Sequence, residues 1–159
     1  MTLTPVPTAD ARPSPEQPAR SAAPAPARHV RALVAEDHIV NQTVARRMLE
    51  HAGYEIMLAV NGVEAVASFR RNAPDVILMD LEMPEMGGLE ATQTIRRIEA
   101  ANGGHVPIIA VTAHAMTGDR EKCLSFGMDG YVSKPIRRAD LLAELERCLG
   151  RGDPPPVKP

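Results

Sequence analysis

The sequence predicts a doubly wound α/β domain, with five parallel strands in one sheet and helices on both faces. Short apolar runs alternate five times with stretches whose apolar residues repeat at helical spacing. This alternation is typical of parallel strands joined by crossover helices. Three of the runs are almost continuously apolar, as expected for strands that helices cover on both sides.

The five predicted strands are short and end in polar or small residues. They are VRALVAED (30–37), YEIMLA (54–59), DVILMD (75–80), VPIIAVT (106–112) and DGYVSKP (129–135).

The stretch after each strand is predicted to be a helix. In the first helix, apolar residues are expected at every fourth position, and the helix is expected to end at Gly53. Asn61 is the candidate N-cap residue of the second helix. The stripe residues of helices one, two, three and five are Val40, Val44, Met48 and Ala52; Val63, Val66 and Phe69; Leu89, Thr92, Ile95 and Ile98; and Leu141, Leu142, Leu145 and Leu149. The fourth helix is expected at about 119–126, ending at Gly127.

The folded domain is predicted to cover residues 30–150 of the 159. Seven of the 15 prolines lie in residues 1–30 and four in the last six residues. Residues 1–29 and 151–159 show no strand or helix periodicity, so they are expected to be disordered tails.

Composition excludes several classes of function. The net charge of −2 provides no basic field for nucleic acid. The apolar runs are shorter than the roughly 20 residues of a membrane helix, and the N-terminus lacks a signal peptide core. Cys123 and Cys148 lie in no metal-binding pattern, so we expect free thiols in a reducing cytoplasm.

Polar side chains end four of the five predicted strands. Because the carboxyl ends of parallel strands meet at one edge of a sheet, where sites form in open α/β folds, we expect them to converge. They are Glu36 and Asp37, then Asp80, then Thr112, and finally Ser133 and Lys134 before Pro135.

The chemistry that this set predicts is phosphoryl transfer to Asp80. Three neighbouring carboxylates cannot all stay ionised without compensation, and a cluster of oxygen ligands suits Mg²⁺ better than zinc. Asp80, at the centre, is then the carboxylate nucleophile. Lys134 and Thr112 are the candidate cation and hydroxyl donor for charge on the phosphoryl oxygens.

Each residue taken alone has a simpler explanation. Glu36 and Asp37 also suit an N-cap pair of the first helix. An Asp that ends a strand is commonly a turn residue, Thr112 also suits a helix cap, and Lys134 suits solvated surface. Four such coincidences explain the pattern less well than one shared site.

These residues resemble the receiver domains of bacterial two-component signalling, over about 30–149. The matching segments are VAED (34–37), ILMDLEMPEMGG (77–88), VTAHA (111–115) and GYVSKP (130–135). The resemblance implies the flavodoxin-like strand order 2-1-3-4-5 and a cis peptide between Lys134 and Pro135.

The resemblance also implies roles for the site residues. Asp80 is the phospho-acceptor, Lys134 binds the phosphate, and Mg²⁺ is held by Glu36, Asp37, Asp80 and the backbone carbonyl of Glu82.

Thr112 and Tyr131 are, by the same resemblance, the switch residues. Glu82 and His114 occupy positions that vary in the family and are expected to tune the phosphate lifetime. For His114, an exposed histidine at a helix start is an equally good explanation.

The expected function is a cytoplasmic receiver that takes a phosphoryl group from a histidine kinase or a histidine phosphotransfer protein. Only nine residues follow Gly150, too few for an output domain, so the expected output is contact with an unknown downstream protein. AEDHIVNQTVARRMLEHAGY (35–54) and VTAHAM (111–116) are more similar to receivers at the C-terminal end of hybrid histidine kinases, which pass the phosphate onward.

Two other functions and the oligomeric state stay open at this point. A phosphatase of the haloacid dehalogenase type would want Asp-x-Asp, whereas the chain has Asp80-Leu81-Glu82. A constitutive adaptor would never be phosphorylated on Asp80. A weak homodimer through the last helices is also open, and no nucleic acid or membrane partner is expected.

Overall fold

The computed structural model describes residues 29–114, 116 and 118–150. Strands and helices alternate within them in the predicted order. They are β1 Arg31–Ala35, α1 Ile39–His51, β2 Glu55–Ala59, α2 Gly62–Asn72, β3 Val76–Asp80, α3 Gly88–Asn102, β4 Ile108–Thr112, α4 Asp119–Ser125, β5 Gly130–Ser133 and α5 Arg138–Cys148. The two predicted tails lie outside the described residues, except for His29.

The five strands form one parallel sheet in the order β2-β1-β3-β4-β5, which confirms the predicted fold. Each strand is shorter than its predicted segment. The register pairs Ala35 with Met79 and Asp80 with Val111. Glu36, the residue after Ala35, is therefore level with Asp80.

Helices cover both faces of the sheet. Alternate residues of the central strands enter opposite cores, as the period of two in a strand requires. In β3, Ile77 and Met79 pack with α2, α3 and α4, whereas Val76 and Leu78 pack with α1 and α5. The continuously apolar strand sequences follow from this double burial.

The apolar stripe predicted for α1 is wrong. Val40 and Val44 are 58% and 39% exposed, and the buried residues of the helix are Gln42, Ala45 and Leu49. A helix has 3.6 residues per turn, so a spacing of four rotates steadily off one face, whereas spacings of three and four stay on it. Gln42 is buried because its amide donates to the carbonyl of Glu36, at 3.3 Å.

The predicted cap of α2 is confirmed. The side chain of Asn61 accepts from the backbone N–H of Glu64 at 2.8 Å. The Glu64 carboxylate in turn accepts from the N–H of Val60 at 3.0 Å, so the two residues satisfy free amides at the start of the helix reciprocally. Val63, in the same turn, is 48% exposed and contributes little to the predicted apolar face.

A charged network ties together the chain connections at the N-terminal edge of the sheet. Arg96 of α3 pairs with Glu99 at 2.6 Å and with Asp129 at 2.7 Å. It also donates to the carbonyls of Gly127 and Val106, at 2.8 and 2.9 Å. The α3–β4 and α4–β5 connections are thereby fixed to each other.

The two cysteines are free. Burial raises the pKa of Cys148 to about 11, and burial with the charge of Asp119 raises that of Cys123. Both groups are therefore thiols at neutral pH. Among the described helices, none has both the length and the apolar character that crossing a membrane requires.

The outer edge of β5 is satisfied by a carboxylate from α5. Glu144 accepts from the backbone N–H of Tyr131 at 2.9 Å and pairs with Arg147 at 2.6 Å. Burial opposes ionisation of Glu144, but the hydrogen bonds from Arg147 and Tyr131 outweigh it, so its pKa lies below the usual value. An edge N–H that would otherwise lack a partner is thus bonded to a charged acceptor.

Glu144→Gln is expected to lower the free energy of unfolding by about 2 kcal/mol at neutral pH, because charge-assisted bonds become neutral ones. The pKa of Glu144 is lower in the folded protein than in the unfolded chain, where it is near 4.5. Ionised Glu144 therefore stabilises the folded protein at a pH above the unfolded value. This stabilisation is lost as the pH falls through the pKa of the folded protein. The difference between wild type and variant should therefore shrink in acid. Urea unfolding at several pH values measures it.

The matched control for this prediction is Glu146→Gln, an exposed position on the same helix. It should leave stability unchanged. A difference for Glu144→Gln that stayed constant with pH would contradict the assigned role of the charge.

Candidate active site

Asp80 is the last residue of β3 and lies at the carboxyl edge of the sheet. It is 4% exposed. One carboxylate oxygen, Oδ1, accepts from the backbone N–H of Glu82 at 3.1 Å. The other, Oδ2, accepts from Nζ of Lys134 at 3.0 Å. A buried carboxylate is stable here because each oxygen has a donor.

Lys134 lies between two acids. Its Nζ is 2.8 Å from Oε2 of Glu36 and 3.0 Å from Oδ2 of Asp80. Burial lowers the pKa of Lys134, but the bonds and charges of Glu36 and Asp80 outweigh this, and the pKa is raised. Lys134 is therefore a fixed cation beside Asp80, and its peptide bond to Pro135 is cis.

Three carboxylates meet at this edge. Ligand oxygens of Glu36, Asp37 and Asp80 all lie within 4.8 Å of one another. Glu36 is buried and Asp37 exposed, so the cluster opens to solvent on the Asp37 side. A donor set made of oxygen alone, with one accessible side for water, fits Mg²⁺.

The N-cap explanation for Glu36 and Asp37 does not hold. The N-cap residue of α1 is His38, and it makes no side-chain capping bond. Glu36 instead accepts from the N–H of His38 at 3.1 Å, ahead of the helix. The acids are thus directed to the cluster rather than to the free amides of α1.

The two predicted switch residues both contact the backbone of His114. The hydroxyl of Thr112, a residue that is 3% exposed, accepts from the N–H of His114 at 3.1 Å. The hydroxyl of Tyr131 donates to the carbonyl of His114 at 2.7 Å. Burial, together with the charge of Asp119, raises the pKa of Tyr131, so the hydroxyl is protonated. The start of the β4–α4 loop is therefore bonded to both β4 and β5.

Glu82 and His114, considered separately in the sequence, contact each other. Nε2 of His114 lies 3.1 Å from Oε1 of Glu82, and the side chains are 66% and 74% exposed. This pair connects the β3–α3 and β4–α4 loops. Its high exposure means that solvent screens it strongly.

Sequence reasoning missed the contribution of two glycines to the site. A Cβ on Gly88, the first residue of α3, would overlap the carbonyl oxygen of Asp80 and lie 2.9 Å from its carbonyl carbon. A Cβ on Gly62, the first residue of α2, would lie 2.5 Å from the carbonyl oxygen of Met86. Both helices therefore start against the segment that contains Asp80. The GG pair at 87–88 was visible in the sequence, but only the approach of α3 to β3 shows its purpose.

The chain also matches a known family over most of its length. The response regulator receiver domain matches residues 32–146, which include every residue of the site.

Curated relatives include long and short proteins. Hybrid signal transduction histidine kinase I of Dictyostelium discoideum is 50% identical over 109 residues, which are 65% of this chain and 6% of that protein. The polar-differentiation response regulator DivK of Brucella anthropi is 38% identical over 118 residues, covering 74% of this chain and 94% of DivK. The chain thus spans a small fraction of the hybrid kinase but nearly all of DivK.

Solved structures with the same fold include two that bear on the site. The receiver domain of the sensor histidine kinase PA1611 from Pseudomonas aeruginosa, with a magnesium ion coordinated in its active site cleft, is 45% identical. The match has a TM-score of 0.69 and covers 77% of this chain and 98% of that one.

The second is a co-crystal structure from Saccharomyces cerevisiae of a histidine phosphotransfer signaling protein with the receiver domain of its downstream response regulator. It is 31% identical, with a TM-score of 0.71, and the match covers 74% of this chain and 87% of that one. The fold, the acidic cluster beside a lysine, and the matched sequence profile lead to one conclusion: the chain belongs to the response regulator receiver domain family.

Proposed function

We propose that the chain accepts a phosphoryl group on Asp80 and that this changes a surface for protein contacts. The observation that carries the proposal is the environment of Asp80. Its buried carboxylate lies between the cation of Lys134 and the N–H of Glu82, inside a cluster with Glu36 and Asp37. A nucleophile held against a fixed cation suits a reaction in which charge spreads over phosphoryl oxygens.

The carboxylates of Glu36, Asp37 and Asp80, with the backbone carbonyl of Glu82, would hold Mg²⁺. When bound, Mg²⁺ supplies positive charge that offsets the carboxylates and the phosphoryl oxygens. The magnesium ion in the cleft of the similar Pseudomonas aeruginosa receiver supports this choice of metal.

The donor is proposed to be a phosphohistidine on a histidine kinase or on a histidine phosphotransfer protein. A carboxylate oxygen of Asp80 forms the new P–O bond while the P–N bond to the imidazole breaks and its electron pair stays on the ring nitrogen. Lys134 keeps its proton and pairs with a phosphoryl oxygen, and the hydroxyl of Thr112 donates to another. No strong general base is required, because a carboxylate nucleophile has no proton to lose.

The switch would act through His114. If the hydroxyl of Thr112 turns towards a phosphoryl oxygen, it is drawn away from the His114 N–H that it now accepts from. Because Tyr131 holds the carbonyl of the same residue, the β4–α4 loop and the ring of Tyr131 would move together. The surface of α4, β5 and α5 would then differ between the two states.

The exposed pair of Glu82 and His114 is proposed to tune the phosphate lifetime, since the backbone N–H of Glu82 donates to Asp80 and the side chains are thus close to the acceptor. Each chain is expected to hold one phosphate, with no turnover of external substrates. The relatives include hybrid kinases and a separate response regulator. The proposed role is therefore a cytoplasmic phosphorelay receiver, either separate or part of a hybrid kinase.

The test is incubation with acetyl phosphate, with and without Mg²⁺, followed by intact-mass measurement. We expect an adduct of one phosphoryl group that forms only with Mg²⁺. Reductive trapping with borohydride, followed by peptide mapping, should place it on Asp80. A modification elsewhere, or none under any condition, would refute the proposal and favour a constitutive adaptor.

A further inference from the structure

We propose that the groove between α2 and α3 docks an acidic segment of a partner protein. The groove has a volume of about 620 Å³. The residues that line it, called here the α2–α3 groove, are Arg70, Thr94, Arg97, Ile98, Ala101 and Asn102. This proposal goes beyond phosphoryl transfer and does not depend on it.

Unpaired positive charge is the first observation. Arg70 and Arg97 are exposed, and within the described residues neither has an ion pair. By contrast, Arg96 and Arg147 are each paired with carboxylates at 2.6 to 2.7 Å. Two free guanidinium groups in one groove, on a chain whose net charge is −2, are a local site for carboxylates.

The shape of the groove provides the second observation. Thr94, Arg97, Ile98 and Ala101 recur at spacings of three and four, so they form one stripe on α3. Ile98 is half-buried. The groove continues into a smaller cavity of about 260 Å³ that Phe69 and Glu99 also line. The Glu99 carboxylate is already paired with Arg96, at 2.6 Å. An apolar floor flanked by guanidinium groups fits a segment with an apolar anchor between acidic residues.

The charge of this chain's own termini does not suit the groove. Residues 1–28 contain three arginines and two acidic residues, and residues 151–159 contain two basic residues and one acidic residue. Neither terminus offers the excess of carboxylates that two free arginines would attract. The occupant proposed is therefore neither of these two segments but an acidic segment of a partner protein.

The position of the groove leaves Asp80 accessible. Arg70 and Arg97 lie in the C-terminal halves of α2 and α3. A crossover helix begins at the carboxyl edge of a parallel sheet and ends at the opposite edge, so these halves lie away from Asp80. A docked partner could thus stay bound while a phosphoryl group is transferred.

The experiment titrates the full chain with fluorescent peptides that carry the same leucine and phenylalanine anchors in glutamate, serine or lysine backgrounds. A single-stranded oligonucleotide is the fourth probe. We expect saturable binding in the glutamate background only, with amide shift changes along the α2–α3 groove. Asp80→Asn should bind equally well.

The decisive variant is Arg70→Glu with Arg97→Glu, for which we expect affinity to fall by about tenfold or more. The matched control is Arg71→Glu, compared with Arg70→Glu alone, because each reverses one charge on α2 and Arg71 lies outside the lining of the groove; Arg71→Glu should lose much less affinity. The proposal is overturned if no peptide shows saturable binding, or if the serine peptide, the lysine peptide or the oligonucleotide binds best. It is also overturned if the amide shift changes map outside the α2–α3 groove, or if Arg71→Glu lowers the affinity as much as Arg70→Glu does.

Discussion

Asp80→Asn is expected to abolish phosphorylation completely. An amide is not a nucleophile towards phosphorus, and no other described carboxylate has the same pair of donors, the Nζ of Lys134 and the N–H of Glu82. The fold should survive, because the amide oxygen can still accept from Glu82 and Lys134 keeps Glu36 as its partner. Intact-mass measurement after incubation with acetyl phosphate and Mg²⁺ should show no adduct, and circular dichroism should match wild type.

Asp37→Asn is the matched comparison, since it also converts one acid of the cluster to an amide. Asp37 is exposed and contributes only to the metal site in our proposal. The adduct should therefore still form, but at higher Mg²⁺ concentrations. Phosphorylation of Asp80→Asn to the wild-type extent would show that another residue is the acceptor.

Gly88→Ala is expected to have the second largest effect, on both stability and phosphorylation. The added methyl group would overlap the carbonyl oxygen of Asp80 and lie 2.9 Å from Cγ of Met79. Alanine has a helix propensity about 1 kcal/mol more favourable than that of glycine. Moving the start of α3 away from the backbone of β3 costs about 3 kcal/mol. The free energy of unfolding should therefore fall by about 2 kcal/mol. Asp80 would also be displaced from Lys134, and phosphorylation should slow.

The neighbouring glycine supplies the control for this effect. A Cβ on Gly87 would have one close contact, 3.2 Å from the carbonyl oxygen of Leu81, and small adjustments can relieve it. Urea unfolding should show a loss of about 1 kcal/mol or less for Gly87→Ala. Equal losses for the two variants would mean that contact with Asp80 is not the cause.

The sheet and the convergence of its polar residues could be predicted because both depend on local patterns. An apolar run that ends in an acidic residue predicts both a buried strand and the position of its carboxyl end. Parallel connection then brings Glu36 level with Asp80 without further information. The lysine could be placed near them for the same reason, since it follows β5 directly.

Other features depend on distances between segments, which periodicity does not encode. The buried face of α1 includes Gln42, whose burial requires the carbonyl of Glu36 as a partner. The contact between Glu82 and His114 joins loops 32 residues apart. Likewise, Glu144 resembles an ordinary helix-surface acid until the free edge of β5 lies beside it.

The charged network around Arg96 has a consequence for α4. This helix has only seven residues and lies between Gly118 and Gly127, whose φ angles are 102° and 98°. The end at Gly127 is anchored through Arg96, whereas the end at Gly118 follows the loop that Thr112 and Tyr131 hold. If phosphorylation shifts the residues beside His114, α4 would therefore pivot about its anchored end at Gly127, and its exposed surface would move most at the Gly118 end.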